Sequence, residues 1–208
     1  ETIAGNLEIS LQLVGKFNVY NALAAIAVGL VEGISLNAIK HSLEEVRSFA
    51  GRFERIDVGQ DFTVLVDYAH TPDSLHNVLT TIKEFAQGNI ICVVGCGGDR
   101  DRAKRPIMAQ IAYQYSDIAI FTSDNPRSEE PEAIIKEMLN GLTEDEQKQV
   151  VTIVDRKEAI RYAIQKANAQ DVILIAGKGH ETYQEIQGVR YDFDDRQVAK
   201  EALLEVQR

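Results

Sequence analysis

The sequence predicts an α/β protein in which a doubly wound, mostly parallel sheet follows a short helical region. Three observations support this fold class. From about residue 56, apolar runs and amphipathic stretches alternate with short links between them. The apolar runs are continuous, as in parallel strands that are buried on both faces. Residues 1–50, in contrast, have a mostly helical pattern.

The N-terminal region is expected to hold one short strand and two helices. A strand is indicated by three apolar residues that alternate with polar ones: Ile9, Leu11 and Leu13. Residues 20–33 are apolar nearly all round, so this helix should be buried on most of its faces. Ser35 is the expected N-cap of the second helix. Because so few elements make a poor domain alone, we expect the end of a preceding domain, with the boundary near Gly51.

The main domain, residues 51–208, contains five predicted strands, at 62–67, 90–94, 117–122, 150–154 and 171–176. Capping residues and prolines predict the helix starts between them: Thr71-Pro72, Pro106, Pro131 and Asp155. A hairpin is expected at 183–193, with its turn at Gln187-Gly188, and the last helix should begin at Asp194 or Asp195. This order predicts a Rossmann-like sheet with a C-terminal hairpin and helix.

The composition excludes several classes of function. A net charge of −10 argues against non-specific binding to nucleic acid or to anionic membranes. No apolar run reaches the roughly 18 residues that a membrane span needs. The two cysteines, Cys92 and Cys96, cannot build a disulfide framework, so a cytoplasmic location is expected. They also lack an apparent pair of partner ligands for zinc, and we expect no metal site in this chain.

Polar and glycine-rich clusters follow four of the five predicted strands, at 67–72, 95–102, 123–127 and 177–181. The carboxyl ends of parallel strands meet at one edge of a sheet, where ligands bind. We therefore expect the four clusters to form one site.

The cluster after the second strand combines glycines with cations. Gly95, Gly97 and Gly98 allow a ligand close to the backbone, and four cations favour an anionic group: Arg100, Arg102, Lys104 and Arg105. A tight turn with a solvated charged face is the alternative. No G-x-x-x-x-G-K-[ST] sequence occurs, so a P-loop, if the protein uses one, lies outside this chain.

The cluster after the third strand places a carboxylate, an amide and a guanidinium around a rigid proline: Asp124, Asn125, Pro126 and Arg127. The arginine fork suits a carboxylate, so the set suits an amino-acid head group. A plain turn before the helix at Pro131 is the alternative. His70 and His180 lie at strand ends near carboxylates, where a structural cap is the alternative to a ligand contact.

Five ordered motifs resemble those of the Mur ligases: GRFE at 51–54, DYAHTP at 67–72, GCGGDRDRAKRP at 95–106, DNPR at 124–127 and GKGHE at 177–181. FNVYNALAA at 17–25 resembles the end of that family's central ATP-binding domain. The resemblance covers essentially the whole chain. The DNPR motif resembles the version that adds meso-diaminopimelate, since lysine-adding relatives carry a different residue at the Arg127 position.

The resemblance implies an ATP-dependent, amide-bond-forming ligase of peptidoglycan synthesis. In such a ligase, ATP phosphorylates the D-glutamate carboxylate of UDP-N-acetylmuramoyl-L-alanyl-D-glutamate, and an amino group of meso-diaminopimelate attacks the acyl phosphate. The family's P-loop, Mg²⁺ ligands and modified lysine have no match here. We therefore expect a piece that is inactive alone, with residues 1–50 ending the central domain and residues 51–208 forming the C-terminal domain.

By motif match, the resemblance also implies roles for individual residues. ATP would be approached by Asn21 at the adenine, Arg52 at the phosphates, and Asp67 and His70 at the nucleoside. meso-Diaminopimelate would be held by Arg100, Asp124, Asn125, Pro126, Arg127, Gly177 and Glu181. Lys178 and His180 are candidates for a catalytic role, meeting the acyl phosphate, or for shaping the turn only. Mg²⁺ ligands are expected in other parts of the protein.

Two alternatives stay open. The same type of ligase could add lysine or another amino acid, and Arg127 is the residue that discriminates between these substrates. A non-catalytic module that binds a nucleotide or an amino acid is the other alternative, because no P-loop sequence is present.

Overall fold

The computed structural model describes residues 5–13, 15–46 and 49–206. The chain divides into two compact units, Glu1–Phe49 and Ala50–Arg208. In the described part of the first unit, helix α1 spans Lys16–Val31 and helix α2 spans Leu36–Glu45. Ser35 caps α2 as expected, since its hydroxyl accepts a hydrogen bond from the Ala38 N–H.

The strand predicted around Ile9 is wrong. Residues 6–13 form no strand and instead lie along α2, where the Ser10 N–H donates to Glu44 Oε1 at 2.9 Å. The apolar side chains of the alternating pattern still turn inward, and Leu7, Ile9 and Leu11 line an apolar groove with both helices. The alternation therefore indicates burial on one side of the segment. It does not indicate a strand, since residues 6–13 form no hydrogen-bonded ladder with a neighbour.

The expected burial of α1 on most faces is also wrong. Val28 is 63% exposed and Val31 is 85% exposed, whereas the buried residues of the helix are Asn18, Ala22 and Gly29. Within this unit, α2 and the segment that holds Leu7 cover only one side of the helix. Among the described residues of this unit, none buries the apolar side chains on the other sides, such as Val28 and Val31.

Within residues 49–206, six strands form one sheet: β1 Glu54–Ile56, β2 Thr63–Asp67, β3 Ile90–Val94, β4 Ile118–Phe121, β5 Val151–Thr152 and β6 Val172–Ala176. Their order is β1-β2-β6-β3-β4-β5, and only β1 runs antiparallel to its neighbour. The predicted parallel sheet is confirmed, although β5 is reduced to two residues. The three-residue strand β1 was not predicted, because it is too short to show a pattern.

Helices cover both faces of the sheet. On one face lie α3 Pro72–Lys83, α4 Lys104–Tyr115 and α5 Pro131–Leu139; on the other lie α7 Arg156–Lys166 and α8 Asp195–Val206. A short helix, α6 Glu144–Gln147, was not predicted. Adjacent strand residues pack into opposite cores, with Cys92 on one side and Val93 on the other, which explains the continuous apolar runs.

The starts of helices α3 and α4 and the hairpin help to position the residues of the site. Thr71 caps α3 as predicted, whereas α4 begins at Lys104, two residues before Pro106. Proline is tolerated there because the first N–H groups of a helix have no intrahelical partner. The predicted hairpin is confirmed as β7 Tyr183–Ile186 and β8 Val189–Asp192. No helix in the described ranges combines the length and apolar character needed to cross a membrane.

Candidate functional site

A cleft of about 650 Å³ lies beyond the carboxyl ends of the parallel strands. It forms where the register aligns the strand ends, because Ala176 lies opposite Asp67 on one side and Val94 on the other. Loops that follow β2, β3, β4 and β6 all contribute to it. Among the predicted site residues, those that line the cleft are His70, Gly95, Gly97, Arg100, Lys104, Asp124, Asn125, Arg127, Gly177 and Glu181.

The glycine loop after β3 packs directly on the turn after β4. The Gly98 N–H donates to the Asn125 carbonyl at 2.9 Å. A Cβ atom on Gly98 would lie 1.9 Å from the Pro126 carbonyl oxygen, so only glycine allows this approach. Pro126 is buried in this contact and does not line the cleft. The exposed Arg100 side chain lies at the rim.

Arg127 is held between the glycine loop and the hairpin. Its Nη1 donates to the Gly98 carbonyl at 2.8 Å, and its Nε lies 3.7 Å from Glu185 Oε2. Its backbone, at φ +51°, pairs with β7, where its N–H donates to the Glu185 carbonyl at 2.9 Å. These contacts fix the direction of the guanidinium.

Asp124 and Gly177 face each other across the ends of β4 and β6. Asp124 is 9% exposed, and its Oδ1 accepts the Asn125 N–H at 2.7 Å. Gly177 has φ +118°, and a Cβ atom there would lie 2.8 Å from Asp124 Oδ2. A side chain at Gly177 would therefore both strain the backbone and displace the carboxylate.

Asn125 links three elements through one buried amide. Its Nδ2 donates to Glu181 Oε2 at 2.8 Å, and its Oδ1 accepts from Lys178 Nζ and from the Glu185 N–H, each at 3.0 Å. Lys178 is fully buried and also contacts Glu181 Oε2 at 3.2 Å. The amide thus joins the turn after β4 to the loop after β6 and to the hairpin.

Two buried arginines anchor the site. Arg105 was expected among the cations for an anionic ligand, but it is fully buried and does not line the cleft, whereas Arg156 was given no role. Arg105 binds Glu129 and Glu137 and also donates to the Gly97 carbonyl. Hydrogen bonds from Arg105 and from the Asp99 N–H lower the pKa of Glu129 to about 2. Arg156 donates to the carbonyls of Ser123 and Ala176, at the ends of β4 and β6. An arginine at the start of a helix gave no signal of burial.

The loop after β2 presents an aromatic cluster centred on Tyr68. The Arg52 guanidinium lies 4.8 Å from the ring centroid, and the rings of His70 and His180 lie 4.6 Å and 5.2 Å from it. Arg52, His70 and His180 are exposed, and of these three His70 lines the cleft whereas Arg52 and His180 do not. The sequence reasoning did not identify Tyr68, although its place between Asp67 and His70 could have drawn attention to it.

Asp67 has a mainly structural environment. Its carboxylate is 6% exposed and accepts the Phe53 N–H at 2.7 Å. Burial raises the pKa of this carboxyl, although hydrogen bonds from the backbone of Phe53 and Ala69 and the charge of Arg52 oppose the shift. Asn21 belongs to the other unit, where it is exposed and donates to Asn18 Oδ1 at 3.2 Å.

The cysteines lie in the core. Cys92 and Cys96 are both buried, and burial raises the pKa of each thiol to about 12, which disfavours the reactive thiolate. Among the described residues, no group of three or more His, Cys, Asp and Glu side chains could hold a metal ion.

Comparisons with known proteins agree with this architecture. The family model for the Mur ligase, glutamate ligase domain, matches residues 51–179, which contain most of the cleft. The chain belongs to this family. The match includes all six strands of the sheet and the loops that follow β2, β3 and β4.

Two similar curated relatives share one description. A UDP-N-acetylmuramoyl-L-alanyl-D-glutamate–2,6-diaminopimelate ligase of Bacillus cereus is 57% identical over 95% of this chain. The corresponding ligase of Geobacillus thermodenitrificans is 57% identical over 97%. The chain spans only about 40% of the length of these curated relatives.

Solved structures support the fold. A structure of a UDP-N-acetylmuramoyl-L-alanyl-D-glutamate–2,6-diaminopimelate ligase matches all of this chain and 42% of its own chain, with 40% identity and a TM-score of 0.75. A UDP-N-acetylmuramate–alanine ligase from Thermotoga maritima matches 97% of this chain and 40% of its own, with a TM-score of 0.65. At 23% identity, the latter match concerns the fold alone.

Proposed function

We propose that this chain supplies the amino-acid-binding part of an ATP-dependent ligase that adds meso-diaminopimelate to UDP-N-acetylmuramoyl-L-alanyl-D-glutamate. In this proposal, residues 1–50 end the central ATP-binding domain of the longer protein, and residues 51–208 form its C-terminal domain. The names of the relatives support the choice of substrates. Within the molecule, the observation that carries the proposal is that Arg127 and Glu181 line one cleft and are anchored through the same turn.

The charges in the cleft suit the far end of meso-diaminopimelate, which carries a carboxylate and an ammonium. Arg127 and Arg100 provide guanidinium groups for the carboxylate, and Arg127 can offer two parallel N–H donors. Glu181 and Asp124 provide carboxylates for the ammonium, and the open backbone at Gly177 lets the ligand approach the carbonyl. In this arrangement Asn125 and Pro126 hold the turn in place.

The cluster around Tyr68 suits a nucleotide phosphate and ring. Arg52 and His70 are exposed and both contact the Tyr68 ring, so both can reach a ligand. We assign Arg52 to the phosphates and His70 to the nucleoside. Asp67 would act mainly by holding the Phe53 backbone beneath them, and Asn21 would approach the adenine from the central domain.

ATP would supply the activated phosphoryl group that converts the D-glutamate carboxylate into an acyl phosphate, with Mg²⁺ held by residues of other parts of the protein. The residues described here would bind the amino acid, exclude water around it and orient its reacting amine. Fixing two reactants in one geometry removes much of the entropic barrier of a bimolecular step. This part of the protein would therefore determine which amine is added.

The direct test is phosphate release by the intact ligase that contains this sequence. With ATP, Mg²⁺ and the UDP-linked dipeptide, release should depend on meso-diaminopimelate, and lysine should replace it poorly. The 208-residue chain alone should release no phosphate above background, because no P-loop sequence is present to cradle the β- and γ-phosphates. Equal use of lysine, or turnover by the chain alone, would refute the proposal.

A further inference from the structure

Lys178 has a charged group inside the protein, immediately behind the cleft. Its side chain is fully buried and is not part of the cleft lining. The ammonium donates to Asn125 Oδ1 at 3.0 Å and to Glu181 Oε2 at 3.2 Å, and it lies 5.5 Å from the centroid of the Tyr183 ring. A buried ammonium is costly unless it is paired and hydrogen-bonded, and these contacts satisfy it.

Glu181 is asymmetric in this network. Both Asn125 Nδ2 and Lys178 Nζ donate to its Oε2, and Oε1 accepts no hydrogen bond within the described ranges. The side chain is 19% exposed and lines the cleft. One oxygen is therefore fixed from behind, while the carboxylate as a whole remains accessible to a ligand.

We infer that Lys178 is a positioning residue that holds the Glu181 carboxylate in the orientation needed for the ammonium of the incoming amino acid. This inference rests on the proposed function of the cleft. It assigns Lys178 no contact with the acyl phosphate, because the ammonium lies on the interior side of Glu181. A cation is then required at this buried point, since an amide would leave the Glu181 carboxylate without its ion-pair partner.

The test is a double-mutant cycle in the intact ligase, with Lys178→Gln, Glu181→Gln and the double variant. Lys178→Gln should raise KM for the amino acid about ten- to hundredfold, as expected for losing a hydrogen bond to a charged group, while kcat changes less than about threefold. KM for ATP should stay unchanged. Because Lys178 acts through Glu181, the double variant should be no worse than Glu181→Gln. Lys148→Gln, at an exposed lysine, is the matched control.

Other outcomes would overturn the inference. A fall in kcat with unchanged KM would mean that Lys178 acts on the reacting groups, and multiplicative effects in the cycle would mean that it acts independently of Glu181. If Lys178→Gln does not fold, Lys178→Arg keeps the charge and carries the test, since it should raise only KM for the amino acid. The cycle is measured with whichever amino acid the wild-type ligase uses as a substrate. If the wild type does not use meso-diaminopimelate, that result refutes the proposed function and leaves the test of Lys178 intact.

Discussion

Arg156 and Asp195 form a bidentate ion pair in which both side chains are fully buried. Nε and Nη2 of Arg156 lie 2.8 Å from Oδ1 and Oδ2 of Asp195, respectively. Nη2 of Arg156 also donates to the Ala176 carbonyl at 3.0 Å. Because Gly177 follows that carbonyl directly, the pair connects α7 and α8 to the floor of the cleft.

Loss of this pair should strongly destabilise the fold. Removing one partner of a buried ion pair typically costs about 3–5 kcal/mol, because the other charge is left uncompensated. Arg156→Met should therefore lower Tm by roughly 6–20 °C, given about 2–4 °C per kcal/mol for a chain of this size. Thermal unfolding followed by circular dichroism measures the change.

The matched control is Arg161→Met on the same helix, where the arginine pairs with the exposed residues Glu158 and Glu205. Exposed ion pairs contribute about 0–1 kcal/mol, so Tm should change little. A similar fall in Tm for Arg156→Met and Arg161→Met would contradict the conclusion that the buried ion pair stabilises the fold more than the exposed ones.

The ion pair of Glu129 with Arg105 should make stability sensitive to acid. The pKa of Glu129 is lowered from 4.5 to about 2, first by its hydrogen bonds from Arg105 and then by that from Asp99. A depressed pKa in the folded state gives stability that is present above pH 4.5 and is lost as the pH falls from 4.5 towards 2. Glu129→Gln should be less stable at neutral pH and should lose less stability over this range.

Urea unfolding at a series of pH values between 2 and 7 measures this difference. Glu132→Gln is the control, since this exposed glutamate lies in the first turn of the neighbouring helix α5. If Glu129→Gln declined with pH as steeply as the wild type, other carboxylates would account for the acid sensitivity.

Alanine substitutions at the adjacent residues Gly97 and Gly98 should differ in how much they destabilise the fold. A Cβ atom on Gly98 would lie 1.9 Å from the Pro126 backbone oxygen, whereas one on Gly97 would lie 3.0 Å from Nη1 at the end of the Arg127 side chain. Gly98→Ala should therefore cost about 1–3 kcal/mol of unfolding free energy, as overpacking does. Gly97→Ala should cost clearly less. Urea unfolding compares them, and equal losses would show that the Pro126 turn yields easily.

The sheet could be predicted from sequence because its elements are locally consistent. Buried runs such as 90–94 and 172–176 are apolar throughout, and caps such as Thr71 and Asp155 mark the helix starts. The strand-end rule likewise predicted the shared edge at which Asn125 and Glu181 meet. These features depend on neighbours in sequence or on a general rule of topology.

The remaining features depend on contacts that a local pattern does not contain. Lys178 and Arg156 are buried with partners that lie far along the chain, Asn125 at 53 positions from Lys178 and Asp195 at 39 positions from Arg156. The alternation at Ile9 indicated one-sided burial but could not show whether a partner strand was present. Apolar residues of α1 such as Val31 were expected to be buried, since the sequence shows hydrophobicity and not the surface that would cover it.

Amine selection is expected to depend on Arg127. meso-Diaminopimelate differs from lysine by a carboxylate at the far end, and a bidentate arginine–carboxylate pair would recognise that group. Arg127→Ala in the intact ligase should lower kcat/KM for meso-diaminopimelate roughly ten- to hundredfold, since hydrogen bonds to charged groups contribute about 1.5–3 kcal/mol. The kcat/KM for lysine should change less, so the preference of the ligase for meso-diaminopimelate over lysine should become smaller.

Arg127→Lys should restore only part of the preference, because an ammonium cannot reproduce the planar fork that Gly98 and Glu185 hold in place. The measurement is kcat/KM for both amino acids in the wild type and in the two variants. If Arg127→Ala left the ratio of the two constants unchanged, recognition of the distal carboxylate would have to lie elsewhere. Arg100, at the rim of the same cleft, would then be the next residue to substitute.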